Sequence, residues 1–332
     1  MFKTFQEYMG ARKPALDQAF GEQIGALLAS VPLKEKTALL QTVRAGKKIR
    51  GCLSCLVNEA LGGGPQEAIP GALAIELIQA ATLIHDDFVD QDVRRGNRPA
   101  VWTLEGARRA VLIGDVIFAT AIQMMSDLGR EEGLAVSRAI AQVSRGALNE
   151  PLDPRALASE IESQALRDGL YEKIIRLKTG ILFGTACRLG ALAAKADGQM
   201  GDISFQYGVW IGEAYQIADD LHDLERHLGR GAIDPGGMAT LAPALLRFAE
   251  TARPLILGGL RGQNPELGRA DVEVLRGAAE LMKKDIGRRL RAAASEVQGR
   301  FPENEYSFLL AEAPWELIRV FNEASGAGLY RP

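Results

Sequence analysis

The chain has 332 residues, and its 39 Lys and Arg against 42 Asp and Glu give a formal net charge of −3. A hydrophobic fraction of 47% and a charged fraction of 24% are typical of a folded globular protein and exclude a wholly disordered chain. Broad nucleic-acid binding requires a basic surface that neutralises phosphates, so no nucleic-acid partner is expected.

The three cysteines, Cys52, Cys55 and Cys187, do not form the pattern of a disulfide framework. The Cys52–Cys55 spacing lies in an apolar helical run without a second pair, so we expect buried core residues. The N-terminal residues lack the apolar segment of a signal peptide. The apolar stretch from Ala68 to Ile84 is shorter than the ~20 residues of a membrane span. A cytoplasmic protein without a stable membrane span is the expectation.

In chain order, nearly the whole sequence predicts helices. Ala, Leu, Arg and Glu dominate, aromatic residues are only 6%, and strand-like alternation is scarce. Apolar residues recur at helical spacing from Ala74 to Ala81 and from Ile113 to Ala121. Segments rich in Gly and Pro separate the helices: Gly62–Pro65, Arg94–Pro99, Asn149–Pro154 and Gly229–Gly237. No linker divides regions of different composition, so one all-α domain over residues 1–332 is predicted.

A cluster of carboxylates ends the apolar run of residues 71–85. Asp86, Asp87 and Asp90 fall within an arc of roughly 100°, because successive helical residues are rotated by ~100°. The neighbouring His85 is expected to face solvent rather than to bind a metal.

A second D-D-x-x-D triplet, Asp219, Asp220 and Asp223, follows another apolar run, Val209–Ala218. One such triplet is readily explained as a solvated helix end, but two triplets that each end an apolar helix are not. Clustered carboxylates repel one another near apolar surface unless a cation compensates their charge. Mg²⁺ prefers oxygen ligands and binds a few carboxylates together with substrate phosphates. The two triplets therefore predict Mg²⁺ ions that hold a diphosphate leaving group.

Basic residues stand where a diphosphate site would need them. Arg94 and Arg95 follow the first triplet in a turn that contains glycine, and Lys178 precedes a further apolar run. Lys47 and Arg50 are three residues apart on one helix face and suit a second phosphate group. Each basic group alone is more often a solvated surface, but together with the triplets they favour a site for two diphosphates.

From about Gly46 to Thr240 these residues resemble the trans-type polyprenyl (isoprenyl) diphosphate synthase family. The resemblance is carried by G-K-K-I-R at 46–50, E-L-I-Q-A-A-T-L-I-H-D-D-F-V-D at 76–90, Arg94-Arg95-Gly96, Gly114-Asp115, Lys178-Thr179 and Y-Q-I-A-D-D at 215–220, all in the family's order. It implies an orthogonal all-α helical bundle around a deep central cavity, and generally a homodimer.

The resemblance also implies roles for individual residues. Mg²⁺ would be bound through the triplets, with the last two members supporting: Asp86, Asp87, Asp90, Asp219, Asp220 and Asp223. The allylic diphosphate would be bound by Arg94 and Lys178. Isopentenyl diphosphate would be bound by Lys47, Arg50, Gln79 and Arg95. The Lys178 carbonyl and the side chains of Thr179 and Gln216 would face a carbocation with the negative ends of their dipoles.

The implied reaction condenses isopentenyl diphosphate with an allylic prenyl diphosphate, head to tail, giving an all-trans product. Ionisation of the allylic substrate yields a delocalised carbocation, while Mg²⁺ and basic side chains stabilise the departing diphosphate. The isopentenyl double bond attacks, a proton is lost to the released diphosphate, and an apolar cavity excludes water.

Three features depart from the family pattern. Only three residues separate Asp90 from Arg94, one fewer than expected. The segment 229–237 has no Lys, although a flexible lid after the second motif usually carries one. Position 51 is Gly where Pro is common. The available replacements for the lid lysine are Arg226 and Arg230.

The residues before the first triplet predict the length of the product. Ala81 and Thr82, five and four positions before the first aspartate, are too small to close a cavity early, and Ile78 lies one turn deeper. We therefore expect a product longer than fifteen carbons, of twenty or more, with Ile78 or the helix that contains Phe118 and Met124 as the floor.

Two other functions remain open. A class I terpene cyclase also ionises a prenyl diphosphate, but its second metal motif usually mixes Asn, Ser and Glu. The second D-D-x-x-D and the pair Lys47 and Arg50 favour condensation instead. A weakly active regulatory subunit of a prenyl synthase stays open because the lid and the arginine turn are altered.

Overall fold

The computed structural model describes residues 2–29, 40, 43–44, 46–151, 153–163, 169–263 and 266–325, and this part of the chain is almost wholly helical. Its α-helices are α1 (Phe5–Ala29), α2 (Ile49–Ala60), α3 (Ile69–Val89), α4 (Val101–Glu105), α5 (Ala107–Leu128), α6 (Arg130–Ala147), α7 (Pro154–Glu162), α8 (Leu170–Ile175), α9 (Ile181–Ala193), α10 (Gly198–Arg230), α11 (Pro235–Phe248), α12 (Arg253–Leu260), α13 (Arg269–Val297) and α14 (Glu305–Ser325). A π-helical turn (Arg176–Gly180) joins α8 to α9, and a 3₁₀ turn (Glu250–Ala252) precedes α12.

The strands of the described part are confined to one short antiparallel ladder, β1 (Arg94–Arg95) with β2 (Arg98–Pro99), and a single bridge between Ala232 and Glu266. The all-α prediction is therefore confirmed. The four predicted breaks also separate helices, although the neighbouring helices extend into the ends of the third and fourth breaks. Leu152 of the third break lies outside the described residues.

The chain divides into two compact units, each assembled from separate stretches of sequence. The first contains residues 1–141, 182–208 and 296–312, and the second contains residues 142–181, 209–295 and 313–332. The prediction of one domain over residues 1–332 stays a prediction.

Helix α3 lies at the centre of the first unit. It packs against α5, α2, α1 and α4, and nearly all of its residues from Gly71 to Ala81 are buried. This explains why its sequence is apolar on more than one face. Glycine permits the closest helix approach: a Cβ at Gly190 of α9 would stand 2.2 Å from the carbonyl oxygen of Ser54 in α2.

The second unit has an apolar core formed by faces of α7, α8, α10, α11, α12 and α13. Leu224 of α10, Leu245 of α11 and Met282 of α13 are all fully buried in it. Tyr171 of α8 meets the ring of Phe248 edge to face, with centroids 5.6 Å apart. Helix α10 thus presents an apolar side to this core from Ala214 to Leu224, alongside its carboxylates.

Helix α5 has the length and composition of a membrane span, whereas the sequence singled out the run from Ala68 to Ile84. Among the described residues α5 is the one helix that meets both criteria, and only 28% of its most apolar window is buried. Its outer surface exposes Leu112 and Val116, four residues apart on one face.

The three cysteines are buried and unpaired, as expected for core residues. Burial raises the pKa of the Cys55 thiol to about 12. The apolar surroundings of Cys52 and Cys187 raise the pKa of their thiols as well, so these groups are unreactive at neutral pH.

Candidate active site

The first triplet lies at the C-terminal end of α3, but its three carboxylates have different surroundings. Asp86 is half-buried, Asp90 is the exposed C-cap residue, and Asp87 is 2% exposed. Carboxylates at a helix C-terminus are unfavourable, because the end of the helix already carries partial negative charge. A cation must therefore compensate this end of α3.

Arg95 supplies such a charge to Asp87. Its Nε donates to Asp87 Oδ1 at 2.8 Å, and its Nη2 forms an ion pair with the same oxygen. The tight turn between β1 and β2, with Gly96 at φ 58°, returns the chain to the helix end. Arg94 instead donates to the carbonyl of Asn97 at 2.8 Å and is exposed. The two adjacent arginines therefore have different contacts, which their sequence does not reveal.

His85 is turned towards α5, so the expectation that it faces solvent is wrong. Its Nε2 lies 3.0 Å from the carbonyl oxygen of Val111, and its ring meets Phe118 edge to face. The ring fits because residue 114 is glycine, where a Cβ would stand 2.1 Å from Nε2. The G-D pair at 114–115 therefore acts in the packing of α5 on α3.

The two adjacent lysines before α2 point in different directions. Lys47 is exposed, whereas Lys48 is buried with its Nζ 3.6 Å from the centroid of the Phe20 ring and 3.9 Å from Glu76 Oε2. Arg50 is half-buried, and its guanidinium lies 4.4 Å from the centroid of the Phe183 ring. Lys47 lies before α2, which begins at Ile49, so the expectation that Lys47 and Arg50 share a helix face is wrong. Their binding of a diphosphate stays a prediction.

Gln79, which is predicted to bind isopentenyl diphosphate, lies on α3 together with the residues predicted to limit the product. Ile78 and Ala81 are fully buried, while Gln79 and Thr82 are half-buried. Thr82 Oγ1 donates to the carbonyl of Gln79 at 2.9 Å.

In the second unit, three predicted site residues form one hydrogen-bonded chain. Thr179 Oγ1 donates to Gln216 Oε1 at 2.6 Å, and Gln216 Nε2 donates to Asp220 Oδ1 at 3.0 Å. The other carboxylate oxygen, Asp220 Oδ2, accepts from the hydroxyl of Tyr171 at 2.6 Å. Sequence reasoning identified the first three residues and missed Tyr171.

The π-helical turn carries Lys178 and Thr179. Such turns are rare in proteins as a whole. Those that occur are often at functional sites, because they displace side chains from the regular helical positions. Lys178 Nζ forms an ion pair with Glu150 Oε1 at 2.6 Å, a partner that no motif indicated. Nothing in the sequence distinguishes this turn from ordinary helix.

A buried ion network supports this part of α10. Glu213 pairs with Arg289, and its other oxygen lies 3.5 Å from Arg176 Nη1. Arg289 also pairs with Asp285 at 3.1 Å and lies over the Trp210 ring. Burial raises the pKa of Glu213, while the two arginines oppose the rise. Glu213 lies 37 residues from Arg176 and 76 from Arg289, so its two pairs were not predictable from the sequence.

The donors of the second triplet fit a hard divalent cation. Burial raises the pKa of Asp219, and the nearby negative charge of Asp223 raises it further. Burial also raises the pKa of Asp220 to about 7. Mutual repulsion of this kind is what a bound cation relieves. Within the described residues, however, no three His, Cys, Asp or Glu side chains already form a metal-binding group. The metal roles of the six aspartates stay predictions.

The segment between α10 and α11 is attached to its surroundings. Gly231 accepts from the Leu267 amide at 2.8 Å, and Ala232 bridges to Glu266. The buried His227 lies with its Nδ1 3.2 Å from the Ala232 carbonyl oxygen. Arg226, one candidate for the missing lysine, pairs with Asp223 at 2.9 Å.

These observations define an all-α protein with one D-D-x-x-D triplet at the C-terminal end of α3 and a second inside α10. The expectation that the second triplet also ends its helix is wrong, because α10 continues to Arg230. The sequence profile of the family described as Polyprenyl synthetase matches residues 34–231. The chain belongs to this polyprenyl synthetase family.

Two curated relatives illustrate the similarity. The chain is 32% identical over 271 residues to a short chain isoprenyl diphosphate synthase of Methanothermobacter thermautotrophicus, covering 78% of this chain and 80% of that protein. It is 34% identical over 179 residues to a (2E,6E)-farnesyl diphosphate synthase of Mycobacterium tuberculosis, covering 53% of this chain. That match spans about half of the farnesyl synthase, 48% of its length.

The fold is similar to that of solved polyprenyl synthases. The structure of a polyprenyl synthase from Caulobacter crescentus, complexed with calcium and isoprenyl diphosphate, matches with a TM-score of 0.73 at 22% identity. The match covers 95% of this chain and 96% of that one. At this identity the similarity concerns the fold alone.

Proposed function

We propose that the protein is a prenyltransferase that condenses isopentenyl diphosphate with an allylic prenyl diphosphate, head to tail, with the help of Mg²⁺. The observation that carries the proposal is the hydrogen-bonded chain of Thr179, Gln216 and Asp220 next to the carboxylate of Asp219. It combines oxygen atoms suited to a carbocation with carboxylates suited to a cation-bound diphosphate. The curated relatives, which are named prenyl diphosphate synthases, support this choice.

Four carboxylates are proposed to hold the metal, and two to support them. Asp220 accepts from Tyr171 and Asp223 pairs with Arg226, contacts that suit these two residues to fix the geometry of the second triplet. Bound Mg²⁺ supplies Lewis acidity that stabilises the negative charge of the leaving diphosphate. The proposed direct ligands are Asp86, Asp87, Asp90 and Asp219.

Lys178 and Arg94 are proposed to bind the allylic diphosphate directly. Lys178 exchanges its ion pair with Glu150 for a phosphate oxygen, which stabilises charge as it develops on the leaving group. Lys47 and Arg50 bind the diphosphate of isopentenyl diphosphate, and Gln79 and Arg95 support them.

The allylic carbocation is proposed to face three oxygen atoms of the second unit. These are the carbonyl oxygen of Lys178, Thr179 Oγ1 and Gln216 Oε1, whose negative dipole ends stabilise positive charge. The isopentenyl double bond attacks the cation, and the new cation loses a proton to the released diphosphate. Apolar walls exclude the water that would quench the cation.

The product is proposed to have twenty or more carbons, because Ala81 is small and Ile78 is the next bulky residue on α3. We expect Ala81→Phe to shorten the product, as measured by the mass of the prenyl alcohols released by phosphatase treatment. An unchanged product distribution would place the floor of the cavity elsewhere.

The active form is proposed to be a homodimer in the cytoplasm. Helix α5 exposes Leu112 and Val116 side by side, and an apolar face of this kind suits burial against a second copy. The three unpaired, buried cysteines agree with a reducing compartment.

The purified protein tests the proposal when it is incubated with Mg²⁺, isopentenyl diphosphate and one allylic diphosphate of ten, fifteen or twenty carbons. We expect elongation that needs both substrates, read by mass spectrometry. Consumption of the allylic substrate alone would indicate a cyclase. The absence of turnover with every primer would favour a regulatory subunit.

A further inference from the structure

Tyr171 is a buried tyrosine whose hydroxyl reaches the second aspartate triplet. Its side chain is held on one side by the Phe248 ring, and its hydroxyl donates to Asp220 Oδ2 at 2.6 Å. Burial, and the nearby charge of Asp220, hold the pKa of this phenol well above its usual value, so it stays a donor throughout the working pH range.

The orientation of the Gln216 amide follows from this contact. An amide side chain has a donor end and an acceptor end that exchange when the group rotates by half a turn. Asp220 accepts from the Gln216 donor end at 3.0 Å, and Thr179 donates to its acceptor end at 2.6 Å. Asp220 is itself held in place at its other oxygen by Tyr171.

We propose that Tyr171 is a positioning residue for the prenyl transfer: its hydroxyl holds Asp220, which keeps Gln216 Oε1, and not Nε2, directed towards Thr179 and the carbocation. This inference rests on the proposed function. Tyr171 contacts neither substrate and acts through Asp220 and Gln216.

Removal of the hydroxyl leaves one oxygen of Asp220 without its donor. The carboxylate then rotates, and the Gln216 amide is no longer fixed with its oxygen towards the cation. The ammonium of Lys178 and the cations Lys47 and Arg50 are untouched, so ground-state binding of both diphosphates is retained. The loss falls on the step in which the cation forms.

The test is the Tyr171→Phe variant of the full chain, assayed with Mg²⁺ and both diphosphates. We expect kcat to fall by ~10-fold, the scale of one lost hydrogen bond in a transition state, while KM for each substrate stays within about twofold. An unchanged kcat, or a rise in KM that accounts for the whole loss, would overturn the inference.

Tyr207→Phe is the matched control. Tyr207 is fully buried, and its hydroxyl donates to the backbone carbonyl of Leu310 at 2.7 Å. It has no role in the proposed site, so the variant keeps the kcat of the wild type although it also loses a buried hydroxyl. Both variants are assayed below their unfolding transitions, measured by circular dichroism. If Tyr171→Phe does not fold while Tyr207→Phe does, the role of Tyr171 is structural and the inference fails.

A second measurement asks whether Tyr171 acts through Gln216. In a Gln216→Met background no amide remains to be oriented, so Tyr171→Phe has no further effect on kcat. Independent, multiplicative losses would contradict the proposal. If the wild-type protein turns over both substrates and the cycle is multiplicative, only this inference fails. If the wild type has no turnover, the proposed function fails with it.

Discussion

At the scale of single residues, the two aspartate triplets share a pattern but contain carboxylates of different kinds. Asp87 is paired with Arg95, and Asp220 accepts from Tyr171 and Gln216, whereas Asp90 is exposed. In each triplet the middle aspartate is therefore bound by the protein itself. Asp223, the last member of the second triplet, pairs with Arg226 at 2.9 Å.

The burial of Asp220 predicts how stability depends on pH when divalent cations are absent. Its pKa is raised from 3.8 to about 7, chiefly by burial, so the folded state binds a proton more tightly than the unfolded chain. The folded state holds more protons between these two values, and stability therefore falls as the pH rises through this range.

We expect Asp220→Asn to be free of this loss. In buffer with EDTA, the melting temperature of Asp220→Asn minus that of the wild type should be higher at pH 8 than at pH 4. Thermal unfolding followed by circular dichroism at several pH values measures this difference. Parallel profiles for the two proteins would contradict it.

The candidate site residues can be recognised from the sequence because they occur in spaced motifs, but their partners cannot. D-D-x-x-D and K-T are visible as letters in the sequence. The contact between Tyr171 and Asp220 joins residues 49 positions apart, and that between Arg289 and Glu213 joins residues 76 apart. Only the fold brings such pairs together, so the sequence could not show them.

At the scale of helices, α2 and α3 are joined by Glu76, a buried carboxylate in the middle of an apolar helix. Its Oε1 accepts from the amide of Gly51 at 2.8 Å, in the first turn of α2, and Lys48 approaches its other oxygen. An acidic group at a helix N-terminus satisfies an amide that has no partner in the helix. This contact explains why residue 51 is not proline here, since proline lacks the donor.

We therefore expect Gly51→Pro to destabilise the fold by about 2 kcal/mol, the typical contribution of a hydrogen bond to a charged group. Glu76→Gln should have a comparable effect, because it leaves Lys48 buried beside a neutral side chain. Urea unfolding measures both changes.

Glu67→Gln is the control for this prediction. Glu67 also accepts from a backbone amide, that of Gly64 at 2.8 Å, but the contact is exposed. Its loss should cost less than about 0.5 kcal/mol. Equal losses for the two Glu variants would show that burial of Glu76 does not matter.

The helices were predictable as elements, while their local irregularities were not. Apolar spacing and Gly- or Pro-rich breaks identify α3, α5 and the turns between helices. The π-helical turn at 176–180 follows no such pattern, because it contains no proline and continues directly from α8 into α9. His85 was predicted to face solvent because its sequence neighbours are aspartates. In the structure its ring instead packs against α5, in the space that the missing side chain of Gly114 leaves.

At the scale of the whole molecule, the exposed apolar face of α5 predicts self-association. Leu112 and Val116 are 52% and 43% exposed, and burial of such a face against a second copy removes it from water. We expect a solution mass twice the 35.8 kDa of one chain, measured by light scattering after size exclusion.

The double variant Leu112→Glu, Val116→Glu should reduce that mass to one chain, because a dimer would bury four charges. Leu281→Glu, at an exposed leucine of α13, is the control and should leave the dimer intact. A dimeric double variant would place the interface on another surface.

The most direct test of the central claim is a double-mutant cycle between the two triplets. If Asp86 and Asp219 bind the same metal-held diphosphate, Asp86→Asn and Asp219→Asn each lower kcat by at least ~100-fold, and the double variant loses little more than either single variant. Steady-state rates with isopentenyl diphosphate, an allylic diphosphate and saturating Mg²⁺ supply the four values. Losses that multiply, or a single variant with the wild-type rate, would contradict the account.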